Sequence, residues 1–340
     1  MIQMKQMIRQ VPIPIAGVML GLTALGNLLQ GYSEAARGFC GALAALFGVL
    51  LLLKFCLFRE QVKQEMENPV IASVSATIFM SVMQLSTYAF PYIGKAAVLV
   101  WGLAVAGHLC LILWYTKRFL LRFRLEEVFP TCFVTYVGII VGSITSATFG
   151  MEAVGRWLFW FGFCAYGIMF PVISCRYLRR IPVAEAAAPL FCIYTAPMSL
   201  SLTGYLAVME HPSLTFVLAL EILAQALYGM VLTRLPRFLK LPFYPSYASF
   251  TFPFVITAFA LKKTLERFAA AGIAVPAACS WLLAAETAAA VLLVSYTVAR
   301  FILHLSGLCR RQKTAEAAES GFRKKTLRLS GKRGIIQLSE

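Results

Sequence analysis

Ser73, Thr77, Ser81, Gln84 and Tyr88 follow one another at steps of four, four, three and four, which on an α-helix lines them along one face. Thr195, Ser199 and Thr203 repeat the pattern, and Thr135, Gly138, Gly142 and Ser146 make a stripe that mixes hydroxyls with bare backbone. Gly17, Gly21 and Ala24 form a fourth stripe of small residues alone. None of these sets can break a bond. Hydroxyl and backbone N–H groups can, however, replace part of an ion's hydration shell without holding the ion too tightly to leave. Small and hydroxyl residues at such spacings also let membrane helices approach closely, and Gly17 with Gly21 is a small-xxx-small pair. The agreement of four stripes favours a polar path. No carboxylate shares a stripe, the chain has no Asp, and its formal charge is +16, so the path suits anions.

Other chemistry is poorly supplied. The sequence lacks HExxH, GxSxG, a CxxC pair and a phosphate-binding glycine loop in a plausible setting, so no enzyme and no cofactor is expected. The nine cysteines are irregularly spaced, mostly within apolar runs, and read as packing residues, with no metal site implied. Nucleic acid is not an expected partner. His108, Glu221 and Glu286 are ionisable groups at membrane depth, candidates for proton carriage or substrate pairing, but they lie off the hydroxyl stripes. Outer-layer packing or subunit contacts are the favoured reading for the two glutamates.

The elements that carry the stripes are membrane helices. A chain that is 60% hydrophobic and 14% charged has lipid as its main solvent. Ten apolar runs, near 12–31, 36–58, 69–89, 93–116, 130–150, 154–178, 189–209, 214–234, 246–264 and 274–306, each suit a crossing of about 20 residues. They are continuously apolar rather than alternating, which predicts helices and an all-α polytopic fold. The first run follows Lys5 and Arg9 but lacks a small-residue cleavage pattern, so it reads as a helix rather than a leader. Pro12, Pro69, Pro130, Pro189 and Pro245, spaced by 56 to 61 residues, each precede an odd-numbered run and suggest five related helical hairpins. At N1 a proline sacrifices no intrahelical bond. The stripes fall on the odd runs, while the second run has no hydroxyl, so the odd helices are expected inside and the even ones outside.

Basic residues separate sharply between the two sets of loops. Lys54, Arg59, Lys63, Arg118, Arg176 and the basic C-terminal residues gather on one side, which places both termini in the cytoplasm. The expected division is a cytoplasmic N-terminus at 1–11, a ten-helix membrane domain at 12–306 and a basic cytoplasmic tail at 307–340, which can lie on anionic headgroups.

Two prolines break register. Pro253, in Ser249-Phe250-Thr251-Phe252-Pro253, is expected in mid-helix, where it clashes with the carbonyl of Ser249 and turns Phe252 away from the regular helical direction. Pro197 is expected to free the carbonyl of Ile193 beside the Thr195 and Ser199 stripe. Ser249 joins the candidate lining residues.

These motifs, with Gly17-Val18-Met19-Leu20-Gly21-Leu22, Ala196-Pro197 and Gly204-Tyr205, resemble the tellurite-resistance and C4-dicarboxylate transporter family, which includes the plant guard-cell slow anion channels. The resemblance spans nearly the whole apolar region. It implies ten helices in five hairpins around a quasi-fivefold central pore, three protomers each with its own pore, and occlusion by a phenylalanine that by motif position is Phe252. The chain departs from the family pattern in having Met19 and Thr135 where kinking prolines are frequent, and no proline within the third run. No counterpart of the plant channels' long regulatory termini is expected in the short ends of this sequence. The expectation is an anion channel of the inner or plasma membrane, passing chloride- or nitrate-like ions or small carboxylates. A proton-coupled dicarboxylate or efflux carrier of the same fold is the alternative, and a sensor or scaffold with a closed core is a third class.

Overall fold

The computed structural model describes residues 2–336, with side chains over residues 5–307. Among the described residues the structure is helical throughout. The principal helices are α1 (Ile15–Leu29), α2 (Glu34–Leu57), α3 (Ala76–Ile93), α4 (Lys95–Tyr115), α5 (Ile140–Ser146), α6 (Glu152–Leu178), α7 (Ala196–Val208), α8 (Leu214–Leu232), α9 (Phe252–Ala270) and α10 (Ala277–Ile336). Among the described residues, eight stretches are long and apolar enough to cross a membrane; α1 is a shorter apolar helix, and α9 is not one of the eight. The protein is therefore a multi-pass membrane protein. The basic tail expected at 307–340 falls, but for Gly307, outside the described side chains.

The even helices begin and end by simple local rules. Ser33 accepts a hydrogen bond from the Ala36 N–H at the start of α2, and Ser213 accepts one from Phe216 at the start of α8. Gly94, at φ 49°, closes α3 in a conformation that only glycine takes cheaply.

Four of the five odd segments start differently, in a tightened turn. Ile15, Ala16 and Gly17 donate to the carbonyls three residues back, and Phe133 does so to Pro130. The 3-10 helices Glu185–Thr195 and Pro245–Phe250 precede α7 and α9. Before α3, the short helix Pro69–Val74 is capped by Asn68, whose side chain accepts from Val70 and Ile71. Irregular backbone at membrane depth is tolerated where protein or a cavity satisfies it, and these starts run from exposed or half-buried ends such as Asn68 and Glu185 into buried residues.

The prolines are placed less uniformly than their spacing suggests. Pro69 and Pro245 occupy first-turn positions, Pro130 is an N-cap, Pro12 opens a turn before α1, and Pro189 lies inside a 3-10 helix. Pro197 and Pro253 are first-turn residues of α7 and α9, not mid-helix residues. The chain ahead of each is already 3-10, so the proline starts an α-helix instead of breaking one. The Ile193 carbonyl is not freed, because the Ala196 N–H takes it. At the second site the departure from helical geometry falls on Thr251, at φ −100° and ψ −93°, and Phe252 is the first helical residue. The third segment runs on to Ile93 and does contain a proline, Pro91.

Contacts run from α1 to α3, to α5, to α7, to α9 and back to α1. Each even helix packs on the odd segment before it and on the one after. Burial follows this order: 61%, 72% and 89% of the most apolar window is buried in the third, fifth and seventh segments, against 22–39% in the even ones. Exposed Leu99, Leu103, Leu113, Trp157 and Leu303 leave the even helices with an apolar outer face suited to lipid.

Candidate functional site

A cavity of about 450 Å³ lies among the N-terminal ends of the odd segments, and all five contribute to its wall. Leu20, Val74, Val134, Ile193 and Leu200 make most of that wall apolar. Its last lining residues on the ninth segment are Phe252 and Pro253. Phe252 is 6% exposed. It is held by its neighbour, since the Thr251 hydroxyl donates to the carbonyls of Ala248, at 2.7 Å, and of Gly17 on α1, at 2.9 Å.

Gly17, Thr77, Gly138 and Ser249 face the cavity, together with Pro197. The hydroxyls do not point freely into it. Thr77 donates to the Val74 carbonyl at 2.7 Å, and Ser249 to those of Pro189 and Ser246 at 2.6 and 2.7 Å. The other candidates lie away from this wall. Ser73 donates to Val70 and its own carbonyl accepts from Thr135. Ser81 donates to Thr77 and to Ala16, Ser146 to Ser143, Thr195 to Cys192 and Thr203 to Ser199. Ser199 bonds the Thr195 carbonyl and the Thr257 hydroxyl, joining α7 to α9. Gly21 and Gly142 are points of close approach to Thr251 and Leu158. The stripes thus serve helix packing as well as the cavity, as carbonyl-bonded hydroxyls do in apolar surroundings.

The mouth carries a polar cluster that spacing does not reveal. The Lys54 ammonium, on α2 and 1% exposed, donates to the Val11 carbonyl at 2.6 Å and to both Glu65 carboxylate oxygens at 2.7 Å. Gln61 donates to the Glu65 carboxylate and to the Arg9 carbonyl, and accepts from the Arg9 guanidinium. Arg9, Lys54, Gln61 and Glu65 all line the cavity, where two cations meet one anion. Outside the spans, Tyr244 donates to Glu185, and that bond to a carboxylate raises the phenol above its usual range.

The intramembrane ionisable groups are buried within the chain and line no part of this cavity. His108 donates from Nε2 to the Thr135 carbonyl at 2.9 Å, which fixes its tautomer, since a carbonyl can only accept. Glu221 accepts from Gln225 and from Thr264 on α9. Glu286, 2% exposed, lies beside Glu221 and Gln225 with neither oxygen in hydrogen-bond geometry. Both glutamates stand on even helices and are packed inside the chain, away from the cavity. Both are shut into the seam of α8, α9 and α10.

The eight described cysteines are free thiols. Comparison with curated proteins gives no match. The family model described as SLAC1, voltage-dependent anion channel, matches residues 10–305, which takes in α1 to α9 and the apolar part of α10. The chain belongs to that family, whose members are channels or transporters of anions rather than enzymes.

Proposed function

We propose that the protein is a passive anion channel of the cell membrane whose path runs between α1, α3, α5, α7 and α9 and is closed by Phe252. In this reading ten segments cross the bilayer as five hairpins about a quasi-fivefold axis. Both termini are cytoplasmic, and three protomers assemble, each with its own pore. The observation that carries the reading is a cavity walled by all five odd segments, with Phe252 in its lining. Two cations and one anion at the mouth favour anion entry. Beyond the mouth the wall is mostly apolar, so an ion passing Thr77 and Ser249 must draw their protons from backbone carbonyls. That weak, exchangeable solvation suits monovalent anions or small carboxylates, which must leave as readily as they enter.

Anion efflux from proteoliposomes tests this directly. Flux that follows the membrane potential and is indifferent to a proton gradient is expected. Saturating uptake that needs a proton gradient and persists without a potential would instead favour a proton-coupled dicarboxylate or efflux carrier. The buried Glu286 and Glu221 are the one feature that favours the carrier.

A further inference from the structure

The joint that presents Phe252 is seated against two glycines of α1. A β-carbon on Gly17 would lie 3.0 Å from the Ala248 β-carbon. One on Gly21 would lie 2.3 Å from the Thr251 β-carbon, 2.5 Å from its Oγ1 and 3.0 Å from the Phe252 backbone nitrogen. What crowds Gly21 is therefore backbone and a β-branched stem, not the far end of a flexible side chain. Thr251 cannot swing aside, because its hydroxyl is tied to Gly17 on the same helix. It is also the hinge between the 3-10 helix Pro245–Phe250 and α9, with the only non-helical backbone between them.

From this geometry we infer that Gly21 is a positioning residue for the gate: the missing side chain lets Thr251 seat against α1 and so fixes where the Phe252 ring stands in the path. A methyl group at residue 21 has to push Thr251 and the Phe252 nitrogen off α1, and the ring moves with them. The inference rests on the reading of Phe252 as the element that closes the path. It differs from ordinary close packing, which predicts lost stability without a dependence on Phe252.

The test is a double-mutant cycle on basal anion current through the full-length protein in planar bilayers, with chloride as the permeant ion. Gly21→Ala is expected to change the current about fivefold when Phe252 is present and to have no effect in the Phe252→Ala background. Gly162→Ala is the control, since a β-carbon there meets Ile140 at 2.4 Å, comparably crowded but away from the joint. It is expected to leave the current unchanged. Thr251→Ala removes the tie to Gly17 without crowding Gly21, and is expected to raise the current, again only when Phe252 is present. It keeps the inference testable should Gly21→Ala fail to assemble. Equal effects in both backgrounds, or no effect from either variant, overturn the inference while leaving the gate intact. If Phe252→Ala itself leaves the current unchanged, the gate reading fails and this inference falls with it.

Discussion

A lysine with 1% of its side chain exposed must be held by its partners, and Lys54 is held by three oxygens, two from Glu65 and one from the Val11 backbone. Its ammonium ties the end of α2 to the entry of α1 and to the short helix Arg59–Glu65. Lys54→Met is expected to cost about 2 kcal/mol, the scale of a hydrogen bond to a charged group, because Glu65 can turn back to water. Thermal unfolding in detergent checks this, and an unchanged midpoint would mean the clasp is idle. Nothing in the sequence marks Lys54 apart from the topological basic residues, since its role depends on a carboxylate eleven positions on that only the folded loop returns to it. The hydroxyl stripes, in contrast, are legible as spacing. Their use is not, because whether Ser81 or Thr77 meets the cavity depends on which neighbour supplies the carbonyl.

At the scale of elements, the regular helices were readable and the irregular starts were not. Continuous apolar runs locate α2, α4, α6 and α8 to within a few residues. The tightened turns ahead of α1 and α5 have no single residue that dictates them, and they arise where the segments converge on the cavity. Pro253 shows the consequence. Placed in the first turn of α9, it removes an N–H that has no intrahelical partner, so it does not strain the helix. Pro253→Ala is accordingly expected to cost no more than about 1 kcal/mol. In mid-helix the same substitution would relieve roughly 3 kcal/mol, so a large gain in the unfolding midpoint would contradict the placement. Pro197, also in a first turn, follows the same physics.

For the whole molecule, the contacts from α1 through α3, α5, α7 and α9 back to α1 gather the odd segments around one shared cavity. The hydroxyl-poor second run goes with the lower burial of the even segments. The mostly apolar wall was not foreseen, since Leu20, Ile193 and Leu200 are indistinguishable in sequence from lipid-facing residues. On the proposed reading, in which this apolar cavity is part of the ion path, the Phe252 ring is the chief barrier, more than the hydroxyls around it. The direct test is single-protein current in planar bilayers for wild type and Phe252→Ala, with assembly verified in both. The expected result is a rise on the order of tenfold as the ring is removed. Unchanged current from a normally assembled variant would contradict Phe252 as the gate.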